Sequence, residues 1–195
     1  MPRTKRIISV DAALHITSRG NNRQLVFQND SDKLYYRTLM EELKDDNMII
    51  FYHYCLMNNH IHFQLRLKLE SDLAKFMKQL NLRYSHYYKK LYGYVGRLWQ
   101  ERFKSNIILD DSYLLQCGKY IELNPVRAGI VKRPEDYLFS SYNFYAKGKP
   151  DTLITPNPVY LEMSYSAALR RKRYADFVVD ERVVYSGLFG WAKKN

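Results

Sequence analysis

Cysteine is scarce in this chain: two residues in 195, Cys55 and Cys117. Neither their number nor their spacing suits a disulfide framework or a structural zinc site. Long apolar stretches are missing too. The longest uncharged apolar run, Met48 to Tyr52, is far too short to cross a bilayer, so no membrane partner is expected. After the basic opening Met1–Arg6 no apolar stretch of roughly seven or more follows. No secretory signal is therefore expected, and the protein is expected in the cytoplasm. The sequence also lacks internal repeats, low-complexity tracts, a Gly-x-Ser-x-Gly elbow and a P-loop. Acidic residues are few, 20 against 31 Lys+Arg, which leaves a net charge of +11.

What is present points to a folded domain that binds a polyanion. The length fits one domain of about 100–200 residues, able to bury about 70% of its unfolded surface. A hydrophobic fraction of 46% and an aromatic fraction of 15% exclude a disordered chain. The positive charge is concentrated. Between Lys75 and Lys104 lie eight basic residues (Lys75, Lys78, Arg83, Lys89, Lys90, Arg97, Arg102 and Lys104) and one acid, Glu101. The same stretch carries Phe76, Tyr84, Tyr87, Tyr88, Tyr92, Tyr94, Trp99 and Phe103. Cations for phosphates, interleaved with flat rings for unpaired bases, suit single-stranded nucleic acid. A solvated face on a core helix would give the same pattern.

Periodicity sets the elements. Val10 to Arg19 reads as a strand, broken by Gly20-Asn21-Asn22. A helix is expected over about 31–45, with Leu34, Tyr35, Leu39 and Leu43 near helical spacing. Met48 to Met57 is almost wholly apolar, as for a strand well inside a sheet. His60 to Leu67 alternates strictly, with His60, His62, Gln64 and Arg66 on one face and Ile61, Phe63, Leu65 and Leu67 on the other. Ser71 is placed to cap a long helix to about Leu91, and 97–109 is irregular to extended. Asp110 or Asp111 can cap a further helix to about Leu123, and Ser166 to Val179 reads as the last. This order predicts an α+β sandwich, a mainly antiparallel sheet with helices over one face. The segment Lys147-Gly148-Lys149-Pro150 looks like a connector dividing residues 1–146 from a small helical extension, 147–195.

The chemistry-bearing residues are few. In His60-Ile61-His62, period-two alternation puts both imidazoles on one sheet face, close enough to bind one cation. Two polar side chains on a half-wet face would look the same. Tyr113, Cys117, Tyr120 and Asn124 fall on one helical stripe, with Tyr120 and Asn124 one turn apart. Such a stripe also suits a core, and Asn124 before Pro125 suits a helix cap. Arg19, Asn22 and Arg23 lie in the loop after the first strand, where they could hold phosphates or serve as turn residues. Arg102 and Lys104 flank an aromatic stretch and are expected to contact DNA. Arg127 could close a helix end. His15 has the parity to lie beside the histidine strand, and Cys117 is expected to be a small buried filler.

Five segments occur in order: Arg19-Gly-Asn-Asn-Arg-Gln24, Met57-Asn-Asn-His-Ile-His62, Leu98-Trp-Gln-Glu-Arg-Phe-Lys104, Lys119-Tyr-Ile-Glu-Leu-Asn-Pro-Val-Arg-Ala-Gly129 and Phe139-Ser-Ser-Tyr142. Together they resemble the single-tyrosine, His-hydrophobic-His (HUH) transposase superfamily, and within it the REP-associated tyrosine transposases of bacteria. The resemblance covers about 2–146. It implies a ferredoxin-like fold that nicks and rejoins single-stranded DNA next to a hairpin, at REP-like repeats, through a 5′-phosphotyrosine. It implies Tyr120 as the nucleophile, His60 and His62 as metal ligands, Asn124 as the third ligand, and Mg²⁺ or Mn²⁺ as the ion. The resemblance leaves the oligomeric state open, monomer or homodimer, since relatives build active sites within one chain or share them across a dimer. Two other functions stay open on the residues alone: a single-stranded nucleic-acid-binding module without chemistry, and a metal-dependent phosphodiesterase that uses water.

Overall fold

Alternation and apolar spacing build the sheet first. The computed structural model describes residues 13–108, 110 and 112–180. The basic opening segment, the start of the predicted Val10–Arg19 strand, the Asp111 cap and the last fifteen residues of the predicted extension lie outside these. Four strands form one antiparallel sheet: β1 (Ala13–Arg19), β2 (Ile49–Met57), β3 (His60–Leu67) and β4 (Lys104–Ile108). Their spatial order is β2-β3-β1-β4. Helix α1 (Asp30–Asp46) joins β1 to β2 and α2 (Leu73–Tyr92) joins β3 to β4, two crossovers interleaved in one sheet. This is the expected ferredoxin-like arrangement.

The odd-parity face of β3 is the core face. Ile61, Phe63 and Leu65 are fully buried there, opposite Ile16 and Leu14 of β1. Helices α1 and α2 cover it. Asn29 caps α1 by accepting from the Asp32 amide, and Tyr36, Leu39, Met40 and Leu43 form its buried stripe. Leu34 and Tyr35, expected in that stripe, are exposed, because the helix is rotated to bring Tyr36 against Tyr84 with ring centroids 5.0 Å apart. The cap of α2 is Asp72, which accepts from the Lys75 amide. The neighbouring Ser71, predicted to do this, instead donates to the Met48 carbonyl and accepts from the Lys68 amide.

The two long helices lie on one face, as the sequence indicates, but the other face is covered as well. There lies α3 (Ser112–Glu122), continued after a kink by α4 (Asn124–Arg127). Gln64 Nε2 donates to the Leu114 carbonyl, and Gly118 passes so close to His53 that a Cβ would stand 2.6 Å from its ring. The physical reason lies in β2. It is apolar on both faces, as expected of an interior strand, yet it stands at the sheet edge and needs cover on two faces and a side. Residues 139–155 supply the side. Leu56 and Thr155 amides donate to the Phe139 and Phe51 carbonyls, and Ser141 donates from its amide to Tyr54.

Helices α5 (Tyr142–Lys147), α6 (Pro158–Glu162) and α7 (Ala167–Val179) follow. They close over a fully buried carboxylate, Glu122. Its Oε1 takes His53 Nδ1 at 2.9 Å and Ser141 Oγ at 2.6 Å, and its Oε2 takes the Tyr174 hydroxyl at 2.7 Å. Lys119 Nζ donates to the Phe177 and Asp180 carbonyls at the end of α7. The two residues flanking 120–121 are thus both tied to α7. Among the described residues no helix is long and apolar enough to cross a membrane.

Candidate active site

The even-parity face of β3 presents the histidines. His60 and His62 have ring centroids 4.9 Å apart. Burial, and secondarily the Arg19 charge, lowers the His60 pKa to about 4. Burial, with His60 and His15 beside it, holds His62 well below the ordinary imidazole value. Both rings are therefore neutral at physiological pH and retain a lone pair. Each is held through Nδ1. Asn59 Oδ1 lies 2.6 Å from His60 Nδ1, and His15 Nε2 lies 3.0 Å from His62 Nδ1. His15 stacks on His62 at 5.2 Å with an interplanar angle of 10°. The parity expected of His15 is what is found, since it faces Gln64 across the β1–β3 ladder.

Helix α3 brings the phenol to these rings. The Tyr120 ring stands edge-on to His62 at 5.8 Å and to His15 at 5.9 Å. Burial raises its pKa, and the Arg127 guanidinium, 5.1 Å from the ring centroid, opposes that rise. Arg127 thus lies over the phenol. Asn124 does not cap a helix through its oxygen. Its Nδ2 donates to the Tyr120 and Ile121 carbonyls at 2.8 and 3.3 Å, which leaves Oδ1 as the end suited to a cation.

These groups line a cleft of about 510 Å³. Of the residues singled out from the sequence, His60, His62, Tyr120, Asn124, Arg19, Arg23, Arg102 and Lys104 lie in its walls. Asn22 does not; it is exposed in a short 3-10 turn (Asn21–Arg23), where its φ of 49° is the conformation asparagine tolerates well. Arg127, read from the sequence as closing a helix end, also lies in the wall, as do Thr17, Ser18 and Gln100, which sequence reasoning missed. Arg127 had a usable signal, since it follows Tyr120 by seven residues, two helical turns on the same side. The aromatics of the basic stretch mostly serve the core. Phe76, Tyr84 and Tyr88 are buried, and the Trp99 indole donates to the Asn81 carbonyl. The exposed lysines of α2 belong to the helix on the opposite sheet face, and only Arg102 and Lys104 of that stretch's cations reach the cleft.

A family model described as IS200-like transposase matches residues 9–124, which takes in both histidines, Tyr120 and Asn124. The chain belongs to the IS200-like transposase family. A Haemophilus influenzae protein provisionally named a REP-associated tyrosine transposase is 29% identical over 99 residues. That match takes in 46% of this chain and 56% of the relative, so it spans little more than half of the relative's length. A solved structure of a REP-associated tyrosine transposase bound to a REP hairpin superposes with a TM-score of 0.66. It is 20% identical, over 80% of this chain and 92% of that one, and shares the fold.

Within this IS200-like chain the donors suit a divalent cation. Among the described residues no three His, Cys, Asp or Glu side chains cluster to hold a metal. A cation here would rest on the two neutral imidazoles and an oxygen such as Asn124 Oδ1, with the open cleft supplying the remaining positions.

Proposed function

We propose that the protein nicks and rejoins single-stranded DNA at hairpin-forming, REP-like repeats, with Tyr120 as the nucleophile. One observation carries the reading: the Tyr120 ring packs against His62 at the head of a cation-lined cleft, all within one chain. The Haemophilus influenzae relative and the hairpin-bound structure carry names that agree with it.

His60 and His62 through Nε2, and Asn124 through Oδ1, would hold Mg²⁺ or Mn²⁺, the imidazoles favouring Mn²⁺ somewhat. Such an ion would withdraw charge from a non-bridging phosphate oxygen. Arg19, Arg23, Arg102 and Lys104 would bind and orient the strand through its phosphates. Asn22 would meet the DNA at the edge of the cleft, outside its walls. Tyr120 Oη attacks the scissile phosphorus and gives up its proton to water in the cleft. The bond from Oη to phosphorus forms as the bond from phosphorus to the 3′ oxygen breaks, and that oxygen takes a proton. A 5′-phosphotyrosine and a free 3′-OH result. A second 3′-OH can reverse the step and join a new strand, which hydrolysis would forfeit. In this reading residues 1–146 carry the reaction and 147–195 form an extension, whose helix α7 braces α3. The chain acts in the cytoplasm, as a monomer or homodimer.

The test is a hairpin-bearing single strand incubated with the protein and Mn²⁺, then resolved on a denaturing gel. A covalent protein–DNA band that disappears in Tyr120→Phe is expected. Tight binding without a band would instead make the chain a nucleic-acid-binding module. Cutting that survives Tyr120→Phe but not His60→Ala or His62→Ala would make it a phosphodiesterase that uses water.

A further inference from the structure

Asn59, in the turn between β2 and β3, makes two side-chain hydrogen bonds. Its Nδ2 donates to the Arg23 carbonyl at 3.2 Å, and its Oδ1 lies 2.6 Å from His60 Nδ1. A backbone carbonyl only accepts, so the amide nitrogen must face Arg23 and the amide oxygen must face His60. The opposite flip would set two acceptors against each other. An amide oxygen also only accepts. His60 Nδ1 therefore carries the proton, and Nε2 is left with the lone pair.

The far end of this bridge is not an ordinary surface acceptor. Arg23 lines the cleft, and both it and Asn22 hold left-handed backbone, with φ of 61° and 49°. Asparagine tolerates that region, but an arginine seldom adopts it unless its surroundings hold it there. The turn supplies much of the constraint. The Gly20 amide donates to the Asn59 carbonyl, and the Val26 and Phe27 amides both donate to the Asn58 carbonyl. These bonds tie loop 20–27 to the Asn58-Asn59 turn.

We propose that Asn59 is a positioning residue: it holds His60 in the tautomer that offers Nε2 to a divalent cation, and it ties that imidazole to the loop carrying Arg23. Cation binding and DNA engagement are thereby coupled, and by linkage each strengthens the other. The proposal rests on the cation reading given above.

The test uses the full chain and two variants, with folding checked by thermal melting. Nitrogen-15 imidazole spectra of the metal-free protein at neutral pH report the His60 tautomer. Water-proton relaxation reports Mn²⁺ affinity, with and without a hairpin oligonucleotide. In the wild type His60 carries its proton on Nδ1, and the hairpin tightens Mn²⁺ binding. Asn59→Ala mixes the tautomers and weakens Mn²⁺ about 10-fold. Asn59→Asp keeps an acceptor for His60 but cannot donate to Arg23. It restores the tautomer and the Mn²⁺ affinity of the free protein, while the hairpin no longer tightens Mn²⁺. A wild-type His60 protonated on Nε2, or an Asn59→Ala spectrum unchanged from wild type, would overturn the proposal. The expected tautomers with no Mn²⁺ binding at all would overturn the cation reading beneath it and leave the hydrogen-bond assignment standing.

Discussion

At the scale of single residues, Tyr120 feels two opposed influences. Burial holds its proton on, and the Arg127 cation over its ring favours the phenolate. Removing that cation takes away the influence that offsets burial. Arg127→Ala is expected to slow adduct formation about 10-fold or more, and to move the rise of rate with pH to higher pH. An unchanged rate and profile would remove Arg127 from the reaction. The histidines make a second prediction, about stability. The His15 pKa is lowered to about 3 by burial and that of His60 to about 4, against an unfolded value near 6.5. Between those limits the unfolded chain binds more protons than the folded one, so stability is full above about pH 6.5 and falls as pH drops toward 3. Burial lowers His62 as well, so His15→Phe should flatten only part of this acid limb in urea midpoints measured from pH 7 to 4. A variant as acid-sensitive as the wild type would contradict it. The positions His60, His62 and Tyr120 were legible because period-two alternation and ordered motifs mark them. Arg127 carried a spacing signal and His15 a parity signal, but the Arg127–Tyr120 ring contact, the role of Asn59 and the His15–His62 hydrogen bond were not legible, since they depend on a ring face and on hydrogen bonds made only once loops and strands meet.

At the scale of elements, helix α3 decides whether the phenol reaches the histidines, and it is held on several sides. Gly118 lets it approach His53, Gln64 donates to the Leu114 carbonyl, and Glu122 and Lys119 anchor it to α7. A methyl group at 118 has no room. Gly118→Ala should lift the helix, costing roughly 1–3 kcal/mol in urea unfolding and weakening adduct formation although residue 118 does not line the cleft. Full stability and activity in that variant would mean α3 has slack. The α3 region was only half legible. Its length and the Tyr120–Asn124 spacing follow from the sequence, but the face it covers does not. Periodicity shows that a helix has an apolar stripe without saying which sheet face receives it. The β3 strand was legible in full, because strict alternation names both faces at once. The apolar run of β2 misled for the same reason: burial on both faces reads as an interior strand, whereas here residues 139–155 cover an edge.

At the scale of the whole molecule, a net charge of +11 is a weak guide until its placement is known. Arg19, Arg23, Arg102, Lys104 and Arg127 surround the cleft, with Glu101 the one acid in its wall among the described residues. Lys75, Lys78, Lys89 and Lys90 are exposed on α2, which covers the core face of the sheet away from the histidines. Charge alone would assign both groups to one DNA surface; the fold separates them. Single-strand binding releases counterions in proportion to the phosphates neutralised, with a slope near −0.7 for each in a plot of log affinity against log salt. Five cleft cations give a slope of roughly −3.5, or a loss of about 100-fold between 50 and 200 mM salt. Fluorescence anisotropy with a labelled single strand measures this directly. Replacing Arg23 and Arg102 by glutamine should flatten the slope by about 1.4, whereas replacing Lys75 and Lys78 should leave it nearly unchanged. An equal effect from both pairs would mean that the strand also wraps the helical face, and that the cleft alone does not set the affinity.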